Sequence, residues 1–155
     1  MRRKDREVSI IEDIISIINE CKVMRIGITD EDGMYIVPLN FGYEYSNGVF
    51  YFYIHSANEG RKVEALQSNP GVAIQMDCGH KLVEGEKPES FSYRYRSISG
   101  SGTADLLTDI NEAKKGLNCL LKHQTGRRFS IGDEAAVSAN VYRITVKALT
   151  GKQNI

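Results

Sequence analysis

Tyr43-Glu44-Tyr45-Ser46-Asn47-Gly48-Val49-Phe50-Tyr51-Phe52-Tyr53-Ile54-His55 is the stretch that decides the fold. An Asn-Gly pair between aromatic-rich runs is a strong hairpin signal, because both residues tolerate the positive φ of a tight two-residue turn. Val49–His55 therefore reads as a strand. Upstream, Met34–Tyr45 reads as another, interrupted by Pro38, which cannot donate to a ladder and so marks an edge or a bulge. Val23–Ile28 precedes them, with Asp30-Glu31-Asp32-Gly33 as the turn. Residues 22–55 thus predict a three-stranded antiparallel meander.

The flanks alternate between helix and strand signals. Ile10, Ile11, Ile14, Ile15, Ile17 and Ile18 recur at helical spacing, so residues 10–20 are predicted helical, with Ser9 and Glu12 as a capping box. Residues 59–68 read as a second helix, stopped by Asn69-Pro70. Gly71–Asp77 is a fourth strand, 78–90 a polar loop, and Phe91–Ala104 a long strand bent near Gly100 and Gly102. Thr108 or Asp109 caps a third helix, with Asp109 and Glu112 spaced as a capping box, and Gly126 ends it. Residues 127–138 carry no clear pattern, and 140–149 alternate as the final strand. The sum is mainly β with flanking helices: six antiparallel strands closing into a small barrel, or an open α+β sandwich. Residues 1–8 are read as a flexible N-terminal arm and 9–152 as a single domain.

Composition narrows the function classes. The chain has 155 residues, 20 Lys+Arg against 20 Asp+Glu, and 41% hydrophobic residues. A phosphate-backbone binder carries a basic excess, so nucleic acid is not an expected partner. Tyr93-Arg94-Tyr95-Arg96 could stack on single strands, but alternation along a strand is also plain amphipathicity. The longest strongly apolar run is Val49–Ile54, far short of the roughly 20 residues of a membrane helix. The basic start fits no signal peptide. Three scattered cysteines, Cys21, Cys78 and Cys119, make a poor disulfide framework. Together these predict a cytoplasmic protein. Cys78, His80 and His123 fall far below a metal pattern, so no metal is expected.

One segment carries chemistry. His55-Ser56-Ala57-Asn58-Glu59-Gly60-Arg61-Lys62 runs from a strand end into a helix start. Free amides there favour an anion, and a hydroxyl, a glycine and two adjacent cations would complete a phosphate site. The alternative is an ordinary solvated helix face, with Ser56 or Asn58 as a simple N-cap. Val37-Pro38-Leu39-Asn40 is the second feature: either an edge strand with a bulge, or a strand whose freed backbone groups meet a flat heteroaromatic ring.

Taken in order, these segments resemble the flavin-binding split-barrel superfamily, the pyridoxamine 5'-phosphate oxidase-like proteins, and within it the nitroimidazole-resistance (Nim-type) proteins. Residues 25–33, 35–43, 51–62, 95–104 and 142–152 carry the resemblance, and the 55–62 block is its most specific part. The resemblance implies a six-stranded antiparallel split β-barrel and a homodimer binding one FMN per subunit in a groove at the subunit interface. It makes Arg61 and Lys62 the phosphate-binding cations, with Ser56 nearby. Val37, Pro38, Leu39 and Asn40 would line the isoalloxazine, Ser97 would face it, and His55 would stand beside it as the catalytic residue. The implied reaction is that of an FMN-dependent oxidoreductase acting on a small molecule, with a nitroaromatic acceptor as the expected substrate class. A flavin storage or redox-sensing module without turnover, or a split barrel using haem or a deazaflavin, are the alternatives. With no Trp in the chain, pyridoxamine phosphate itself is not the expected substrate.

Overall fold

The computed structural model describes residues 3–155. It has eight strands among these residues: β1 (Glu7–Val8), β2 (Val23–Asp30), β3 (Gly33–Asn40), β4 (Gly42–Ser46), β5 (Val49–Ser56), β6 (Gly71–Val83), β7 (Ser92–Leu106) and β8 (Asn140–Asn154). Four helices accompany them: α1 (Ile11–Glu20), α2 (Arg61–Ser68), α3 (Ile110–Thr125) and α4 (Asp133–Val137). One antiparallel sheet runs β3-β2-β6-β7-β8-β5-β4, with β1 added alongside β8. The mainly β, helix-flanked split barrel is as expected, with eight strands rather than six.

The predicted meander divides. β2–β3 and β4–β5 are hairpins, but β3 and β4 lie at opposite ends of the strand order, joined only by the buried Phe41. The break falls at Phe41, not at Pro38, which keeps its register opposite Arg25 on the edge strand β3. The cause is distant in sequence. A Cβ on Gly42 would collide with the α3 backbone at Cys119 and Leu120, so only glycine lets α3 lie on β4. Gln124 of α3 then donates to the Phe41 carbonyl at 2.9 Å and the Lys22 carbonyl at 3.1 Å, pinning the crossover.

Other expectations meet the structure unevenly. Asn47 and Gly48 both take positive φ in the β4–β5 turn. Asp109 caps α3 by accepting from the Asn111 and Glu112 amides, and Gly126 ends it in the left-handed region. The bend near Gly100 and Gly102 is a register shift between β7 and β8 at Ser101/Gly102. Ser9 does not cap α1, whose N-cap Ile10 receives no side-chain hydrogen bond. The polar loop expected at 78–90 is half strand: β6 continues to Val83 across a bulge that places Gly79 and His80 between the Cys78–Arg96 and Lys81–Arg94 pairs. Glu7 and Val8, read as part of an N-terminal arm, pair with Lys152 and Gly151, and Val8 is buried. The packed unit therefore begins before residue 9, and residues 1–2 lie outside the described residues.

The main core fills the barrel with Met24, Ile26, Phe52, Met76, Ile98 and Ile144, and Ile17 and Ile18 of α1 are fully buried in it. A smaller core of Ala113, Ala136 and Val141 lies between α3, α4 and β8. No described helix is long and apolar enough to cross a membrane.

Candidate cofactor-binding site

The 55–62 segment lies where the sequence places it, between β5 and α2. β5 holds His55 opposite Val141 and Ser56 opposite Asn140. Alternation along the strand leaves His55 exposed and Ser56 buried. Gly60 is the N-cap of α2, with φ +119, a conformation that side chains rarely adopt. No side chain caps this helix, so neither Ser56 nor Asn58 plays that part. The amides of Val63 and Glu64 bond to the Gly60 carbonyl, which leaves those of Arg61 and Lys62 without partners in the helix.

The two cations differ in a way their adjacency hides. Arg61 is already engaged. Its Nε and Nη2 donate to Asp30 at 2.5 and 3.0 Å, and its guanidinium stacks 4.1 Å above the Tyr35 ring. The Asp30 carboxyl is held below its ordinary range by that guanidinium. Lys62 is half-buried and makes no ion pair or hydrogen bond among the described residues. Burial lowers its proton affinity. A half-buried ammonium without an anion, at an uncapped helix N-terminus, is the electrostatic complement of a phosphate. Beside Arg61, the buried Tyr35 hydroxyl also lacks a hydrogen-bond partner. The Ser56 hydroxyl donates to the Ala57 carbonyl at 2.9 Å and does not point its proton at the helix start.

The expected ring-lining residues spread along and across the sheet. On β3, Val37 and Leu39 turn partly toward the core, while Pro38 and Asn40 are exposed. The Asn40 amide is spent on the Lys22 carbonyl and on Gln124, tying β3 to α3. Ser97 lies on β7, facing outward, with its hydroxyl donating to the Lys152 carbonyl at 3.3 Å. Three strand spacings separate β3 from β7, roughly 14 Å. Within one chain, therefore, Val37–Asn40 and Ser97 do not converge on a point.

Between them stands a network the sequence does not reveal. Arg25 donates to Asp77 at 2.9 Å and to Gln75 at 3.3 Å, and Gln75 donates to Asp77 at 2.7 Å. His80 lies 2.6 Å from the other Asp77 oxygen. Arg25 is the cross-strand neighbour of Pro38, and Asp77 that of Ser97. One outward row thus runs Pro38, Arg25, Gln75–Asp77, Ser97. The i, i+2 spacing of Gln75 and Asp77 was the available signal, but Arg25 is 50 residues away. The described residues hold no cluster of three metal-ligating side chains.

The profile of the pyridoxamine 5'-phosphate oxidase family matches residues 11–153. Among solved structures, the chain is similar to a protein of Bacteroides thetaiotaomicron provisionally described as a 5-nitroimidazole antibiotic resistance protein. The two are 36% identical over 95% of this chain and 86% of that one, with a TM-score of 0.82. The flavocytochrome Anf3 of Azotobacter vinelandii is 16% identical and covers 100% and 72%, with a TM-score of 0.80. An FAD-binding protein of Mesorhizobium loti is 23% identical and covers 97% and 98%, with a TM-score of 0.64. The last two likenesses are of fold alone. No curated protein matches the chain.

Proposed function

Because this chain belongs to the pyridoxamine 5'-phosphate oxidase family, we propose that it binds FMN as a homodimer and reduces small nitroaromatic compounds. The observation that carries the reading is Lys62: a half-buried ammonium with no anion among the described residues, beside the uncapped amides of α2. A phosphate monoester supplies the missing charge and accepts from those amides. The likeness to a protein described as a 5-nitroimidazole resistance protein supports the acceptor class.

A bound flavin supplies two-electron chemistry, and the residues of this chain do the rest. Lys62 and the first α2 amides hold the phosphate end. Arg61 adds its remaining Nη1 donor, or exchanges Asp30 for phosphate. The exposed edge of β3 from Val37 to Asn40 supports the ring. His55 carries an imidazole nitrogen at the exposed end of β5, placed to give a proton to a reduced acceptor. A second copy supports the other side of the groove, since Ser97 of the same chain is too far from β3 to do so. The outer face of β3 offers a surface for it: Met34 and Ile36 are 79% and 71% exposed, an apolar projection unusual for a solvated edge.

The test is a visible spectrum of the purified protein before and after addition of FMN and desalting, followed by reduction of a 5-nitroimidazole with a chemical or nicotinamide donor. About one retained FMN per chain, with turnover lost in His55→Ala but flavin retained, supports the enzyme. Retained flavin with no turnover for any donor makes the protein a flavin carrier. A haem spectrum, or refusal of FMN, overturns the cofactor.

A further inference from the structure

We propose that a second, separate cleft, between α1, β4 and α3, binds a planar aromatic carboxylate. Its volume is about 970 Å³, within the range of sites for small organic ligands. It shares no residue with the α2 site or with the outward row of β2, β3, β6 and β7.

The charge of this cleft is out of proportion to the molecule. The whole chain is neutral. The cleft walls nevertheless carry Lys22, Lys115, Lys122 and Arg128 against a single carboxylate, Glu44. Glu44 is occupied by Lys115 at 2.8 Å. Lys22 is turned to the carbonyls of Asn19 and His123, near the ends of α1 and α3. Lys122 and Arg128 have no ion pair among the described residues, and with Lys115 they oppose, without overcoming, the burial that pushes the Cys119 thiol up. Two uncompensated cations over one cavity define where an anionic group goes. Arg offers a planar fork for a carboxylate, and Lys a point charge.

The remaining walls define the rest of the ligand. Tyr43, Tyr45 and Phe129 add aromatic rings to the lining, with Tyr45 packed on Phe50 and the Arg127 guanidinium over Phe129. Phe129 is held in place by its own amide, which donates to the Asn118 side chain at 3.0 Å. His123 adds a flat, neutral face. Its Nε2 lies 2.8 Å from the Cys21 carbonyl and so carries the proton, and burial lowers the ring's proton affinity. Flat neutral walls around a cationic rim accept an aromatic ring bearing a carboxylate, and disfavour a sugar or an aliphatic chain.

The test uses the full chain, with and without FMN, titrated with 2-naphthoate and followed by amide chemical shifts. The expected result is shifts at Lys115, Lys122 and Phe129, unaffected by FMN. Affinity falls about tenfold or more in the Lys122→Glu/Arg128→Glu double variant and declines with added salt. Both positions are exposed, and Lys122→Gln/Arg128→Gln provides a milder pair. Shifts confined to Leu39, Arg61 and Lys62 and abolished by FMN would place the ligand in the α2 site and overturn the proposal. Equal binding of 2-naphthamide, or no shift at millimolar naphthoate, would overturn it too. A protein that takes naphthoate here but refuses FMN would retain this site while losing the proposed cofactor.

Discussion

Replacing Lys62 with Met separates two consequences of one charge. The methionine keeps an unbranched apolar stem of similar length, so the packing of α2 is preserved while the ammonium is removed. A hydrogen bond from a charged donor contributes about 1.5–3 kcal/mol. Loss of a Lys62–phosphate contact should therefore weaken FMN binding roughly 10- to 150-fold. Stability without FMN should move the other way. Burial holds the Lys62 pKa below its ordinary 10.5, so the folded state binds this proton less well than the unfolded state. The penalty is present at every pH below the folded value and fades as pH rises toward 10.5. The flavin-free Met variant should thus be no less stable than the wild type near pH 7. It should also lack the rise in stability that this lysine gives the wild type in the alkaline range. Flavin fluorescence titration measures the first effect, and urea denaturation at a series of pH values the second. An FMN affinity within twofold of wild type, or a lower urea midpoint for the flavin-free variant, would refute the assignment of Lys62 as a ligand-facing cation.

Three further outcomes are expected. Asp30→Asn releases the Arg61 fork and should tighten FMN binding; weaker binding would mean that the ion pair positions Arg61 for phosphate. In the wild type this pair stabilises above the ordinary carboxylate pKa of 3.8 and is lost as pH falls through the lowered Asp30 value. Gly42→Ala drives a methyl into the α3 backbone and should cost about 3 kcal/mol or more, a fall in Tm of roughly 10 °C by calorimetry. Cys21 is buried, with its thiol pushed up to about 12, so at pH 8 it should resist a thiol reagent until the protein unfolds.

What could be read in the sequence follows the range of the interactions. The Asn47-Gly48 turn, the Asp109 and Gly126 caps and the β5–α2 junction are decided within a few residues, and all are where local chemistry puts them. The break at Phe41 is not local: it depends on α3, nearly 80 residues later, resting on Gly42 and on Gln124 reaching the Phe41 carbonyl. Pro38 does mark an edge strand, where a missing donor costs little, but the interruption between β3 and β4 lies three residues further on. Strand β6 beyond Cys78 was obscured for another reason. From Gly79 to Val83 no residue is buried and the apolar Leu82 and Val83 are adjacent, so it lacks the apolar alternation that marks a half-buried strand. At the candidate site, the segment was legible but the division of labour was not. Arg61 and Lys62 are neighbours in sequence, and only Asp30, 31 residues upstream, makes one of them spoken for.

The position of β8 has a consequence for biosynthesis. It is the last element in chain order, yet it lies in the interior of the sheet, pairing with β7, β5 and β1. Among the described residues the β4–β5 hairpin has no other strand neighbour than β8. While the chain grows on the ribosome, the hairpin and β7 each present a bare edge that only the final strand covers. Unpaired edges recruit other chains. A nascent chain stalled before Asn140 would therefore hold the β2-β3-β6-β7 half of the sheet and an unattached hairpin. Such a species leaves those edges bare, and the native sheet is complete only when β8 slots between β7 and β5.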